Sequence, residues 1–126
     1  MSTTNTIISV VDDDQSMSRM LCRVLTSAGF TVKSFASAKE FLDSKGISDS
    51  TCLILDMNLP GMSGAELQWV LSCRGFDIPI IFISADADEA IQQRVLDCGA
   101  LAFLDKPFNI DILLDKVRSI PIPTPS

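Results

Sequence analysis

Asp12, Asp13, Asp56, Ser84 and Lys106 are the side chains whose types and positions suit a shared chemistry, because each lies at or just beyond the end of a short apolar run. Ile7-Ile8-Ser9-Val10-Val11 leads into Asp12-Asp13-Asp14, and Cys52-Leu53-Ile54-Leu55 into Asp56. Ile80-Ile81-Phe82-Ile83 leads into Ser84, and Leu101-Ala102-Phe103-Leu104 into Asp105-Lys106-Pro107. If the runs are parallel strands, their carboxyl ends share one sheet edge, where open α/β sheets bind ligands near the reversal of strand order. Clustered acids raise one another's pKa. A hard divalent cation relieves that cost, and Mg²⁺ takes one or two carboxylates with waters and phosphate oxygens. An ammonium at Lys106 could pair with Asp56 at rest and with a phosphoryl oxygen once Asp56 is modified. Taken singly, a strand-end acid is as readily a cap for the next helix, and a lysine before a proline is usually a surface accident. Their recurrence at successive strand ends is what speaks for a site.

Composition narrows the chemistry further. The chain has no histidine, which removes Ser-His-Asp and Cys-His catalysis, histidine metal sites and a phosphohistidine on this chain. The four cysteines are scattered without a C-x-x-C pair, fitting neither a zinc site nor a disulfide framework. Cys52, inside an apolar run, reads as a small buried hydrophobe. A net charge of −6 argues against direct binding of nucleic acid or anionic lipid. At 126 residues and 47% apolar, the chain suffices for one domain with a real core. No apolar stretch approaches the roughly 18–20 residues that cross a bilayer. Residues 1–6 are polar and unlike a signal peptide. The expectation is a cytoplasmic protein with no membrane association.

The elements that must position these residues alternate at short intervals. Met17, Met20, Leu21, Val24, Leu25 and Ala28 follow helical spacing, with Asp14 or Ser16 as cap and Gly29 as stop. Thr31–Phe35 alternates like a partly exposed strand, and Ala38, Phe41 and Leu42 mark a short helix ending near Lys45-Gly46. Pro60-Gly61 makes a turn before a helix carrying Leu67, Val70 and Leu71. Ala90, Ile91, Val95 and Cys98 form the next helical face, and Ile110, Leu113, Leu114 and Val117 the last. Five strands alternating with five helices specify a parallel sheet covered on both faces. The predicted fold class is therefore α/β, a flavodoxin-like (βα)5 three-layer sandwich with strand order 2-1-3-4-5. The domain is expected over residues 1–119, with the Pro-rich 120–126 as an extended tail starting an interdomain linker.

Val10-Val11-Asp12-Asp13-Asp14, Leu55-Asp56-Met57-Asn58-Leu59-Pro60-Gly61-Met62-Ser63-Gly64, Ile83-Ser84-Ala85 and Leu104-Asp105-Lys106-Pro107-Phe108 together resemble the signatures of the receiver domain of two-component response regulators. The likeness spans roughly residues 6–119 and is nearest the FixJ- and NarL-type receivers, which usually precede a helix-turn-helix output domain. The resemblance implies that Asp56 is the phosphoacceptor, taking a phosphoryl group from the phosphohistidine of a sensor histidine kinase. It implies Mg²⁺, with Mn²⁺ as a substitute, held by Asp13, Asp56 and the backbone carbonyl of Asn58, with Asp12 supporting mostly through water. Lys106, Ser84 and the Ala85 position would bind phosphoryl oxygens. Phe103 would be the aromatic switch that turns inward when Ser84 moves. It further implies phosphorylation-dependent homodimerisation, a C-terminal DNA-binding domain in a longer chain, and no enzymatic activity beyond the domain's own phosphorylation and dephosphorylation.

Phosphoryl transfer needs positioning and neutralised equatorial oxygens, which this residue set would supply. Ser84 stands where threonine is frequent and lacks the methyl group that restricts its rotamer. Phe103 stands where tyrosine is frequent, so its two positions would differ only by packing, making a shallower switch. Asn58 and Asp86, each two positions past a site residue, are expected to tune access of hydrolytic water and give dephosphorylation in minutes rather than hours. Asp105 is expected to point away from the site. Trp69 is expected partly exposed and packed along its own sheet, and Met17 and Met20 in the core. Contact with partners is expected at the first helix, and dimer contact at the last helix-strand-helix segment. Exposed Arg94, Asp97, Asp111, Asp115, Lys116 and Arg118 could supply salt bridges there, with solvated charge as the default. Competing readings are a haloacid-dehalogenase-type aspartyl-phosphate phosphatase, an FMN-binding flavodoxin, and an interaction receiver that is not phosphorylated. The first would want an aspartate where Asn58 stands; the second would want a Ser/Thr/Gly-rich phosphate loop where three aspartates stand.

Overall fold

Among the described residues, apolar runs and amphipathic stretches become five strands and five helices in strict alternation: β1 (Ile7–Val11), α1 (Gln15–Ser27), β2 (Thr31–Phe35), α2 (Ala38–Asp43), β3 (Cys52–Asp56), α3 (Gly64–Cys73), β4 (Ile80–Ser84), α4 (Glu89–Asp97), β5 (Ala102–Asp105) and α5 (Ile110–Arg118). The computed structural model describes residues 6–44, 47, 49–85 and 88–120. The strands form one sheet in the order β2-β1-β3-β4-β5, all pairs parallel. This is the predicted topology. Strand order reverses between β1 and β3, so their carboxyl ends flank the crevice such sheets use for ligands.

Side-chain alternation along buried strands divides the core in two. Leu53, Leu55 and Phe82 point to the face covered by Phe41 of α2, Leu67 and Leu71 of α3 and Val95 of α4. Ile8, Val10, Ile54, Ile81 and Ile83 point to the other face, against Leu21 and Leu25 of α1 and Leu113 and Val117 of α5. β3 and β4 are buried along their whole length, whereas the edge strand β2 is buried nowhere. Met17 and Met20 are half-buried against the α1/α5 face, less deep than expected.

Several boundaries differ from the sequence expectation. β3 and β4 each run one residue further, taking in Asp56 and Ser84, because both residues still pair across the ladder. β5 begins at Ala102 rather than Leu101, and Leu101 lies exposed before it. α2 ends at Asp43; Lys45 and Gly46 lie outside the described residues. Ile120, assigned from sequence to the start of the tail, is buried on the α1/α5 face. Residues 121–126 lie outside the described residues. Trp69 is 68% exposed and does not pack along the sheet. The reason is local: α3 buries Gly64, Leu67, Gln68 and Leu71, one face at helical spacing, and this turns position 69 to the outside. Gln68, unremarked in the sequence, donates from Nε2 to the Val95 carbonyl at 3.1 Å and so ties α3 to α4.

Candidate functional site

Asp12 follows β1 directly and is buried. Its Oδ1 accepts the Asp14 backbone N–H at 2.9 Å, while Oδ2 has no hydrogen-bond partner and lies 3.5 Å from the Lys106 ammonium. Asp56, the last residue of β3, is also buried; its Oδ1 accepts the Asn58 N–H at 2.9 Å and its Oδ2 accepts from Lys106 Nζ at 3.3 Å. Lys106 therefore sits between both acids, not beside Asp56 alone. The Lys106-Pro107 peptide is cis, and the Lys106 N–H donates to the Ser84 carbonyl at 2.7 Å, fixing the lysine to the end of β4. Asp13 is exposed, and ligand oxygens of Asp12, Asp13 and Asp56 all lie within 4.8 Å of one another.

The electrostatics follow from this crowding. Burial, reinforced by the Asp56 charge, pushes the Asp12 carboxyl up to about 6, against the lowering effect of the Asp14 hydrogen bond and the Lys106 ammonium. Burial alone would lower the Lys106 ammonium, but the charges of Asp12 and Asp56 outweigh it and hold it above its ordinary value. Three carboxylates face one ammonium, and one buried carboxylate oxygen is left without a hydrogen bond. An oxygen-only donor set of this kind fits a hard divalent cation.

The remaining predicted residues fall around this cluster. Ser84 is buried, and its Oγ accepts from Asn58 Nδ2 at 3.2 Å. Ala85 follows it at the surface. Phe103 is half-buried, its ring stacked on Phe82 with centroids 6.3 Å apart. Asp105 is exposed, as expected. Asp14 is the cap of α1, accepting from the backbone of Ser16 and Met17, and belongs to the helix rather than the site. Asp86 lies outside the described residues. Two contributions were not read from the sequence: the second partner of Lys106 and the side-chain bond from Asn58 to Ser84. Gly64 carries no role of its own in the sequence motif, yet a Cβ there would stand 2.8 Å from the Asp56 carbonyl oxygen and 3.0 Å from Met57 Cα. Only a glycine lets α3 start so close beneath the acid.

Residues 8–118 match the family described as the response regulator receiver domain. The chain belongs to that family. Nodulation protein W of Bradyrhizobium diazoefficiens is 42% identical over 116 residues, covering 92% of this chain and 51% of that protein. The transcriptional regulatory protein FixJ of Azorhizobium caulinodans is 33% identical over 112 residues, covering 89% and 53%. Among solved structures, the response regulator StyR superposes with a TM-score of 0.85 at 42% identity, covering 92% of this chain and 59% of that one. FixJ-N superposes with a TM-score of 0.81 at 30% identity, covering 92% and 93%. The FixJ-type likeness expected from the sequence is borne out. This receiver domain spans about half the length of the curated relatives it matches. It is a signalling domain of the type found in transcriptional response regulators, where receivers are the phosphoacceptor modules of two-component signalling. Among the described residues, no helix is long and apolar enough to cross a membrane.

Proposed function

We propose that Asp56 is the phosphoacceptor of this receiver domain and that Asp12, Asp13 and Asp56, with the Asn58 carbonyl, hold a Mg²⁺ ion for which Mn²⁺ can substitute. The observation that carries the reading is the charge imbalance at the sheet edge. Lys106 is shared by Asp12 and Asp56, and Asp12 Oδ2 still has no hydrogen bond. Mg²⁺, when bound, supplies positive charge to the oxygens of the transferring group. The chain's own residues do the rest. An oxygen of the Asp56 carboxylate attacks phosphorus in line, the P–N bond to the donor imidazole breaks, and the imidazole leaves with the bonding electron pair. Lys106 then exchanges its contact with the Asp56 carboxylate for one with a phosphoryl oxygen. Ser84 and the backbone at Ala85 receive the remaining oxygens. The departure of Ser84 from its resting contacts opens space that Phe103 fills, so a local charge change biases the packing of a ring.

The donor in this reading is a sensor histidine kinase in the cytoplasm. The segment 120–126 begins a linker, anchored where Ile120 is seated on the core, to a DNA-binding output domain in a longer chain. Homodimerisation follows phosphorylation, and the domain itself does not touch nucleic acid. Incubation with Mg²⁺ and a small-molecule phosphodonor, read by intact mass, tests the proposal on wild type and Asp56→Asn. A single base-labile phosphoryl adduct confined to wild type is expected. Steady release of many phosphates per chain would mark a phosphatase instead. The absence of any adduct at saturating donor would mark an interaction receiver that is not phosphorylated.

A further inference from the structure

Trp69, 68% exposed, borders a cavity of about 450 Å³ between α3 and α4. Ala65 and Val70 of α3 and Val95 of α4 give this cavity an apolar lining. Gln68 sets its width, because the bond from Nε2 to the Val95 carbonyl fixes the spacing of the two helices. The volume lies in the range of hollows that seat ring-sized groups. A large ring held in water beside an apolar hollow marks a contact surface, and tryptophan is the residue type that most often anchors one.

Two opposite charges border the same cavity. Glu66 accepts the Ser63 N–H of its own helix cap, yet among the described residues neither Glu66 nor Arg94 has an ion-pair partner, and the two do not pair with each other. One patch thus carries a knob, a hollow, an anion and a cation. A two-fold contact sets a patch against a copy of itself, so each feature must find its complement on the other copy. A foreign partner would have to supply all four complements, whereas a second copy already carries them. We propose that the α3–α4 face is a self-association surface, on which Trp69 of each copy enters the cavity of the other and Glu66 of each faces Arg94 of the other. The contact needs no phosphoryl group and is separate from the homodimerisation that follows phosphorylation. A net charge of −6 on each copy opposes it, so the indole supplies most of the attraction and the dissociation constant is modest, on the order of 100 µM.

The test uses the full chain without Mg²⁺ or phosphodonor, in reducing buffer because Cys73 and Cys98 are exposed. Sedimentation with interference optics from about 1 to about 500 µM reads association. Acrylamide quenching of Trp69, the chain's one tryptophan, reads whether its ring is covered. A monomer with readily quenched Trp69 is expected at the low end, and a dimer with protected Trp69 at the high end. Trp69→Ala is expected to weaken association at least about 30-fold. Glu66→Gln keeps the cap acceptor and loses only the charge. It and Arg94→Gln should each weaken association about fivefold, with the double variant little worse than either. A chain that stays monomeric throughout would overturn the proposal, as would a dimer that Trp69→Ala forms as readily as wild type. Protection of Trp69 in the monomer would also overturn it, by showing that another molecule occupies the face. A double variant that loses the sum of the single effects would overturn the pairing of Glu66 with Arg94.

Discussion

Asp12 carries the main electrostatic cost of the site. Its folded pKa of about 6 lies above the ordinary 3.8, so between these values the folded chain binds more protons than the unfolded one. Its contribution to stability therefore improves as pH falls from about 6 towards 4, and its full cost is present above about 6. In Mg²⁺-free solution, Asp12→Asn is expected to be more stable than wild type at neutral pH by about 2 kcal/mol, with the gap closing near pH 4. Denaturant titrations at both pH values check this, and a gap that widens on acidification would refute it. Lys106 presents the opposite case. Its ammonium is the cation between Asp12 and Asp56, and Lys106→Met leaves both acids facing each other. A loss on the order of 2 kcal/mol is expected at neutral pH. Mg²⁺ should recover more of that loss than K⁺ at equal ionic strength, as followed by thermal melting.

At the scale of elements, α3 does most to shape the site from below. Ser63 and Glu66 form a capping box at its start, with Ser63 Oγ accepting from the Glu66 N–H at 3.2 Å and Glu66 accepting from the Ser63 N–H at 3.3 Å. Ser63→Ala is expected to cost about 1 kcal/mol in denaturant titration. Gly64→Ala should cost more, about 1–3 kcal/mol, because the added Cβ meets backbone at 2.8 Å and that backbone cannot move aside as a side chain can. The two substitutions also separate by function. The cap loosens a helix end, whereas the Cβ displaces the residue carrying the Asp56 carboxylate, so Gly64→Ala should slow phosphorylation beyond its effect on stability. Equal phosphorylation rates in the two variants, measured by intact mass, would count against a close approach that serves the site. α3 also sets the surroundings of Trp69, the chain's one tryptophan. At 68% exposure its fluorescence should be red-shifted and readily quenched by iodide or acrylamide. A blue-shifted, protected signal would mean that this face is covered in solution.

The whole molecule is a sheet with two cores, and both converge on the central strands. Leu53 and Ile54 are neighbours in β3 that point to opposite faces, one against α2, α3 and α4 and the other against α1 and α5. Both are fully buried, so Leu53→Ala and Ile54→Ala should each cost about 3 kcal/mol despite belonging to different layers. Because the proposed phosphoacceptor, Asp56, ends the same strand, a perturbation on either face has a short path to it. The sheet edge then serves as the place where acids with no room to separate are held together.

The architecture was legible from the chain alone because its signals are local and periodic. Apolar runs bounded by turn residues, helical spacing of Met17 to Ala28, and handed crossovers leave few arrangements open. Asp12, Asp13, Asp56, Ser84 and Lys106 were legible for the same reason, since strand ends in such a sheet share an edge. What needed three dimensions was set by distances between residues far apart in the chain. Lys106 is shared by two acids, Asn58 reaches Ser84, and Gly64 lies under the Asp56 carbonyl. Ile120 is buried although it reads as tail, and Trp69 is exposed as its place off the α3 face implies but without packing along the sheet, because the packing of α3 and α5 on the sheet, not hydrophobicity, determines which positions are covered.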